Sequence, residues 1–257
     1  MLNSLYRLLL LDIDGTLAKD YYSISPEVKK AIIKISKKLS VVLVSGRSAK
    51  TVILIAKELK LNKPQIVEGG ARIITSEGNN IWARFLRKES VSNIIDCLNS
   101  FNKSFNMCIH GSSQVINNKK EFKQVDLAKV TRISSLSLEN SQAKKIENLL
   151  QQIKGINFFR VRNAFKENLW NIDITDKKAN KKNAVLKLRK ILNIKKEETV
   201  GVGDGFNDIP FIKETGLKVA MGNAVSELKE ISDYIAPSVT EDGLIEVVRI
   251  INRLCQR

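Results

Sequence analysis

The sequence predicts an α/β fold, a parallel sheet assembled from both ends of the chain and interrupted by an inserted α+β domain. Three observations carry this. Leu8 to Leu11 is an unbroken apolar run that leads into two carboxylates, Asp12 and Asp14, as a strand buried on both faces would. Strand-like and helix-like segments alternate from there to Gly70, and again from Asn180 onward, which is the pattern of right-handed crossovers in a parallel sheet. Between these stretches the rhythm changes to hairpins and paired strands. The expected organisation is a core at residues 1–76, an α+β cap at 77–176 and the rest of the core at 177–257.

The elements follow in order. Ser25-Pro26-Glu27 is a helix opening with a cap and a proline in the first turn, continued by Val28, Ile32, Ile33 and Ile35. Val41 to Val44 reads as a second buried strand ending in Ser45-Gly46-Arg47-Ser48, Thr51 to Leu61 as a helix, and Gln65 to Val67 as a third strand closed by Glu68-Gly69-Gly70. Ala71 to Thr75 and Ile81 to Phe85, separated by Gly78-Asn79-Asn80, form a hairpin pattern. A helix from Ser90 to Phe101, a strand at Phe105 to His110, a helix from Leu138 to Ile153 and two paired strands, Ile156 to Arg162 and Leu169 to Ile174, make up the insert. Residues 111–137 are too polar to assign. The core then resumes with a helix at Asn180 to Leu192, a strand at Glu198 to Val202, a helix at Gly205 to Lys213, a strand at Leu217 to Ala220, and helices at Ala224 to Ile231 and Gly243 to Arg253.

A chain of 257 residues with 43% hydrophobic content can bury a large core. Its net charge of +16 raises the prospect of a nucleic-acid partner, but the lysines are scattered among Asn and Ile. Without an arginine-rich run, zinc-finger spacing or aromatic stacking signature, the charge reads as solvated surface, and no specific nucleic-acid partner is expected. A basic field still attracts a small phosphorylated anion. Cys97, Cys108 and Cys255 are odd in number and form no CxxC pair, which favours reduced thiols in a cytoplasm. The first apolar run stops at Asp12, too early for a signal peptide, and no uncharged run approaches the ~18 residues of a membrane span.

Two motifs carry the chemistry. In open α/β sheets ligands bind beyond the carboxyl ends of the strands, where Asp12 and Asp14 stand. Asp is also common where strands give way to turns. Their period-two spacing nevertheless puts both carboxylates on one side of the extended backbone, so that one can attack while the other handles a proton. Gly201-Val202-Gly203-Asp204-Gly205-Phe206-Asn207-Asp208 adds two more carboxylates, Asp204 at a strand end and Asp208 one turn further on. Four carboxylates in one crevice raise one another's pKa unless a cation joins them, and hard oxygen ligands suit Mg²⁺.

With these motifs in place, the chain resembles the haloacid dehalogenase superfamily of phosphatases and phosphotransferases. The resemblance rests on Asp12-Ile13-Asp14-Gly15-Thr16, Ser45-Gly46-Arg47, a lysine opening a helix, and Gly203-Asp204-Gly205-Phe206-Asn207-Asp208, in that order. The insert is similar to the α+β cap of the Cof-type subfamily, and Met221-Gly222-Asn223-Ala224 and Glu241-Asp242-Gly243 resemble its C-terminal pattern. The family's lysine pattern is Lys-Gly-x-Ala-Leu with Leu three residues later. Lys181-Lys182-Asn183-Ala184-Val185 with Leu188 fits it in register, so Lys181 takes the catalytic slot and Lys182 stands where glycine is usual. In Glu68-Gly69-Gly70 relatives often have Asn before the final Gly.

The resemblance implies a Rossmann-like core and a Mg²⁺-dependent phosphatase for a small phosphorylated metabolite, a sugar phosphate or phosphoglycolate, with the cap closing over the site. A phosphomutase is the alternative within the superfamily, and a basic nucleic-acid-binding protein on a degenerate core is a remote one. Asp12 would attack phosphorus to give an aspartyl-phosphate, and Asp14 would act as general acid and base. Mg²⁺ would be held by Asp12, the backbone carbonyl of Asp14, Asp204 and Asp208. Ser45 and the N–H of Gly46 would bind the phosphoryl oxygens, with Asn207 near the phosphate or metal. Arg47 reads as surface charge, His110 as an ordinary cap residue, Trp82 and Trp170 as cap core, and Arg160, Arg162 and Asn168 as exposed strand positions or substrate contacts.

Overall fold

Four consecutive leucines can be hidden only where a strand has cover on both faces, and β1 (Leu8–Leu11) is buried along its whole length. The computed structural model describes residues 5–20, 23–101, 105–109, 112–116, 126–163, 166 and 168–255. After β1 come α1 (Pro26–Ile35), β2 (Ser40–Leu43), α2 (Ala49–Glu58), β3 (Gln65–Val67), β4 (Arg72–Ile74) and β5 (Asn80–Ala83). Ser25 caps α1 by accepting the Val28 N–H at 3.2 Å, with Pro26 in the first turn, where its missing donor costs nothing. Ser48 caps α2 through the Thr51 N–H at 3.5 Å. The turn between β4 and β5 uses Gly78 at φ +97°, with the Thr75 N–H donating to the Asn79 carbonyl at 2.8 Å.

The chain continues through α3 (Lys88–Asn99), β6 (Phe105–Ile109), β7 (Ser112–Ile116), β8 (Val130–Leu138), α4 (Asn140–Leu150), β9 (Ile156–Arg162) and β10 (Trp170–Asp176). It ends with α5 (Lys181–Leu192), β11 (Thr199–Gly203), α6 (Ile209–Ile212), β12 (Leu217–Ala220), α7 (Ser226–Ile231), β13 (Tyr234–Ile235) and α8 (Leu244–Leu254). Two compact units result, Met1–Ile81 with Asn180–Arg257, and Trp82–Ala179. The first change of unit falls within β5 and the second just before Asn180, which caps α5 by accepting the Asn183 N–H at 2.9 Å.

In the larger unit a parallel sheet runs β13-β12-β11-β1-β2. Alternate residues Leu9 and Leu11, Val41 and Leu43, and Val200 and Val202 share one apolar cluster with α1, α2 and α8. Period two sends Leu8 and Leu10 to the other face, where they are fully buried as well. Because β1 and β11 are parallel neighbours, Asp12 and Asp204 emerge side by side at the carboxyl edge.

The smaller unit is an antiparallel sheet, β7-β6-β8-β10-β9, with α3 and α4 supplying Val91, Ile94, Leu98, Ala143, Ile146 and Leu150 to its core. Its central strand, β8, lies in the stretch whose polarity hides it from sequence reasoning. Thr131, Arg132, Ser134 and Ser135 are buried there, Ser134 donating to Asp173, and a register shift breaks the alternation near Ser135. Arg160 is occupied within this unit: it lies 4.0 Å over the Trp170 ring and donates to Asn140 Oδ1 at 2.6 Å. His110 and the side chain of Arg162 lie outside the described residues.

One element differs from expectation. The helix expected over Gly205 to Lys213 is only Ile209–Ile212. Pro210 has no N–H to give the carbonyl four residues back and fits solely in a first turn, and the residues before it form a turn in which the Asp208 carboxylate accepts the N–H groups of Asp204 and Gly205 at 3.0 and 2.9 Å. Among the described residues no helix is long and apolar enough to cross a membrane. Replacing Leu9 by alanine is expected to cost about 2–5 kcal/mol in urea unfolding, and a loss below about 1 kcal/mol would contradict its packing in the sheet–helix cluster.

Candidate active site

The site begins where the β1 ladder stops. The Asp12 N–H still donates to the Val202 carbonyl at 3.0 Å, continuing the parallel pairing, so the carboxylate of Asp12 leaves the sheet at a fixed point. The chain then turns tightly, the N–H groups of Leu17 and Ala18 both reaching the Ile13 carbonyl at 2.9 and 2.8 Å. The Thr16 hydroxyl thereby donates to Asp204 Oδ1 at 3.2 Å. Gly15, at φ +81°, is required twice over: its conformation suits glycine, and a β-carbon there would lie 2.2 Å from Asp204 Oδ2.

Asp204 follows the last residue of β11, and the turn of residues 205–208 brings Asp208 back beneath it. One Asp208 oxygen accepts the N–H groups of Asp204 and Gly205, while the other faces Lys181. A β-carbon on Gly203 would stand 2.7 Å from the Asp208 carboxyl, so this fold-back also depends on glycine. Lys181, in the first turn of α5, reaches in from a third direction. Its ammonium donates to Asp12 Oδ1 at 2.5 Å and to Asp208 Oδ1 at 2.6 Å and is buried, with the Phe211 ring 5.8 Å away. Lys182 points elsewhere, pairing with Glu214 at 2.7 Å on a part-exposed surface.

Asp12, Asp204 and Asp208 each present one oxygen within 4.8 Å of the others, a hard donor set of the kind that holds Mg²⁺. The electrostatics of these acids suit a divalent cation. Burial, followed by the neighbouring Asp208 carboxylate, pushes Asp12 well above the ordinary carboxylate range, although Lys181 opposes the shift. Burial and then Asp208 lift Asp204 to about 6. Burial alone would lower Lys181, but the charges of Asp12 and Asp208 overcome it and raise the ammonium above its usual value. One ammonium thus faces three carboxylates, and a divalent cation among the oxygens would favour the ionised forms of both raised acids.

Asp14 is turned to a different partner. Arg47 grips it in a fork, Nη2 to Oδ1 at 2.6 Å and Nε to the two oxygens at 3.1 and 3.2 Å. Arg47 is therefore not surface charge. Its guanidinium is buried, while the Asp14 side chain is 57% exposed. The signal was its place in Ser45-Gly46-Arg47, shortly after the buried end of β2 at Leu43, where a cation is covered only if something anionic meets it. Ser45 is fully buried; its Oγ accepts the Arg47 N–H at 3.0 Å and its carbonyl accepts the Gly69 N–H at 3.0 Å. Nothing lies within 4 Å of where a Gly46 side chain would begin, so this backbone borders open space.

Asn207 stands exposed on the turn between Asp204 and Asp208, its amide oxygen folded over Gly205. A neighbour that sequence reasoning quoted without a role, Asn223, links three segments. It donates to the Gly15 carbonyl at 2.8 Å and to Asp204 Oδ2 at 3.4 Å, and accepts the Val239 N–H at 2.9 Å.

Comparison with known proteins gives a consistent result. Residues 9–248 match the haloacid dehalogenase-like hydrolase family. The chain is 29% identical over 246 residues to 5-amino-6-(5-phospho-D-ribitylamino)uracil phosphatase YcsE of Bacillus subtilis, covering 95% of this chain and 94% of that protein. It is likewise 29% identical over 246 residues to a phosphoglycolate phosphatase of Staphylothermus marinus, covering 94% and 96%. Among solved structures, a haloacid dehalogenase-like hydrolase from Bacteroides thetaiotaomicron superposes with a TM-score of 0.84 at 24% identity, over 96% of this chain and 99% of that one. The carboxylate cluster at a parallel sheet edge and a family match across nearly the full sequence converge: the chain belongs to the haloacid dehalogenase-like hydrolases.

Proposed function

We propose that this hydrolase is a Mg²⁺-dependent phosphatase that cleaves a small phosphorylated metabolite, a sugar phosphate or phosphoglycolate, through an aspartyl-phosphate on Asp12. The observation that carries the reading is the buried Lys181 ammonium between Asp12 and Asp208, with Asp204 within ligand distance of both. That arrangement fixes a buried carboxylate in place and opposes the protonation that burial favours, and a cation among the three acids would complete the ionisation that a nucleophile needs. The relatives named phosphatases of a ribityl phosphate and of phosphoglycolate support the substrate class. Cys97, Cys108 and Cys255 form no disulfide with one another, which supports a reducing cytoplasm.

The chemistry balances on this chain's own groups. An Asp12 oxygen attacks phosphorus, forming one P–O bond while the bond to the leaving alkoxide breaks. Asp14 supplies the proton the alkoxide needs, then removes one from the water that hydrolyses the acyl phosphate and frees Asp12. To do so Asp14 must release at least one limb of the Arg47 fork, and its exposure leaves room for that rotation. Ser45 Oγ, already accepting from the Arg47 N–H, retains its own O–H for a phosphoryl oxygen, and the open space at Gly46 admits the group. Asn207, exposed on the turn between Asp204 and Asp208, would contact the phosphate from outside. Mg²⁺, held by Asp12, Asp204, Asp208 and the backbone carbonyl of Asp14, would offset the negative charge that nucleophile and substrate bring together.

Three outcomes test this. Asp12→Asn abolishes Mg²⁺-dependent release of phosphate from a panel of phosphorylated metabolites, whereas Asp14→Asn slows it by roughly 10²- to 10⁴-fold; wild-type turnover by Asp12→Asn would refute the covalent route. Lys181→Ala loses most of its turnover and Lys182→Ala keeps it in a side-by-side assay; the reverse ranking would move the catalytic slot. The third concerns the cation without any assay of turnover. A carboxylate raised to about 6 in the fold costs the metal-free chain stability as pH rises through that value and spares it below. Mg²⁺ at about a hundredfold excess over its Kd should therefore add ~2.7 kcal/mol to thermal stability near pH 8, and the gain should shrink as the pH falls below about 6 and Asp204 takes up a proton. Equal gains at both pH values would contradict the assignment of Asp204 as a ligand.

A further inference from the structure

The Glu68-Gly69-Gly70 turn lies between two parts of the site and touches both. Three consecutive residues adopt positive φ, +55° at Glu68, +67° at Gly69 and +96° at Gly70. For glutamate this conformation is costly, so something must hold it there. The Glu68 N–H donates to the Arg47 carbonyl and the Gly69 N–H to the Ser45 carbonyl, both at 3.0 Å, which ties the turn to the loop that carries Ser45 and Arg47. On its other side Gly70 is pressed against the start of α5. A β-carbon at Gly70 would lie 2.3 Å from the Asn180 carbonyl carbon and oxygen and 2.6 Å from the Lys181 nitrogen. The backbone from which the Lys181 side chain departs therefore rests on this turn.

What fixes the turn is an ion pair with no solvent access. Arg72 Nη1 donates to Glu68 Oε1 at 2.9 Å, and both side chains are 1% exposed. Arg72 Nε is anchored in turn to Asn80 Oδ1 at 2.6 Å, on the next strand of the same small sheet. A buried ion pair is weak evidence for stability, since apolar groups of the same volume often serve as well, but removing one member leaves an uncompensated charge that forces its surroundings to move. Here those surroundings are the Lys181 peptide and the Ser45 loop.

We infer that Arg72, acting through Glu68, is a positioning residue that sets Lys181 on Asp12 and Asp208 and aligns the Ser45 loop. The inference rests on the proposed phosphatase reading for its kinetic consequence but not for its geometric one. Displacing a catalytic group by about 1 Å can cost 10²-fold in rate, so the effect belongs in kcat.

The test compares Arg72→Met and Arg72→Lys in the full chain, by turnover of p-nitrophenyl phosphate with Mg²⁺ at a temperature well below either melting point, and by crystallography of Arg72→Met. The expected result is a kcat lowered about 10- to 100-fold in Arg72→Met with KM within about threefold of wild type, most of it recovered in Arg72→Lys, and a Lys181 ammonium withdrawn from Asp12. A variant that melts earlier yet keeps the wild-type kcat would overturn the inference, as would a crystal structure in which Lys181 still sits 2.5 Å from Asp12. Should Arg72→Met fail to fold, Glu68→Gln, which keeps the shape and an acceptor oxygen but removes the charge, is judged by the same two criteria. A wild-type chain that turns over no phosphate ester would contradict the proposed function, while the crystallographic comparison would still decide the positioning of Lys181.

Discussion

The buried ammonium of Lys181 is the interaction on which the site depends. Carboxylates taken out of water are costly, and Asp12 and Asp208 lie close enough to repel each other. Lys181 meets one oxygen of each, at 2.5 and 2.6 Å, and joins residues separated by most of the chain. The same pair of acids holds the lysine charged in a setting that would otherwise strip its proton. Mutual dependence of this sort ties the chemistry to the fold: the ammonium is in place only if β1, β11 and α5 meet correctly.

Close approach is bought with glycine at a few defined points. Gly15 admits Asp204, Gly203 admits the fold-back of Asp208, and Gly70 admits the start of α5. Each stands where a β-carbon would overlap the very group the site needs, so the glycines and the charged residues form one design. The carboxylate left outside the buried cluster, Asp14, has a separate cation in Arg47, which keeps its side chain accessible while anchoring it at the rim.

Much of this was legible in the sequence, because the core obeys simple periodicities. The apolar runs at Leu8 and Val41, the serine-proline opening of α1 and the strand before Gly203-Asp204 each announce their structure locally. Asp12, Asp204, Asp208 and Lys181 fall together because parallel strands deliver their carboxyl ends to one edge, and the lysine register selects position 181 over 182. What escaped has physical causes as well. β8 is a central strand built with buried Ser, Thr and Arg side chains and a register shift, so neither hydrophobicity nor alternation marks it. The helix at Ile209 is short because Pro210 has no N–H to give the carbonyl four residues back and fits only in a first turn. The burial of Arg47 depends on Asp14, far away in the sequence, and although Glu68 and Arg72 stand four residues apart, nothing local shows that their ion pair is sealed from solvent beneath the site.

The central claim is that Asp12, held in place by Lys181, becomes covalently bonded to phosphorus during turnover. Acid quenching in the presence of substrate, followed by borohydride reduction and peptide mass spectrometry, reads this directly, since an aspartyl-phosphate is reduced to homoserine while a free carboxylate is not. The account predicts homoserine at position 12, absent when substrate is withheld and absent in Lys181→Ala under the same brief quench. Phosphate release at the normal rate with Asp12 recovered unmodified at every quench time, or homoserine found at position 14 or 204 instead, would contradict it.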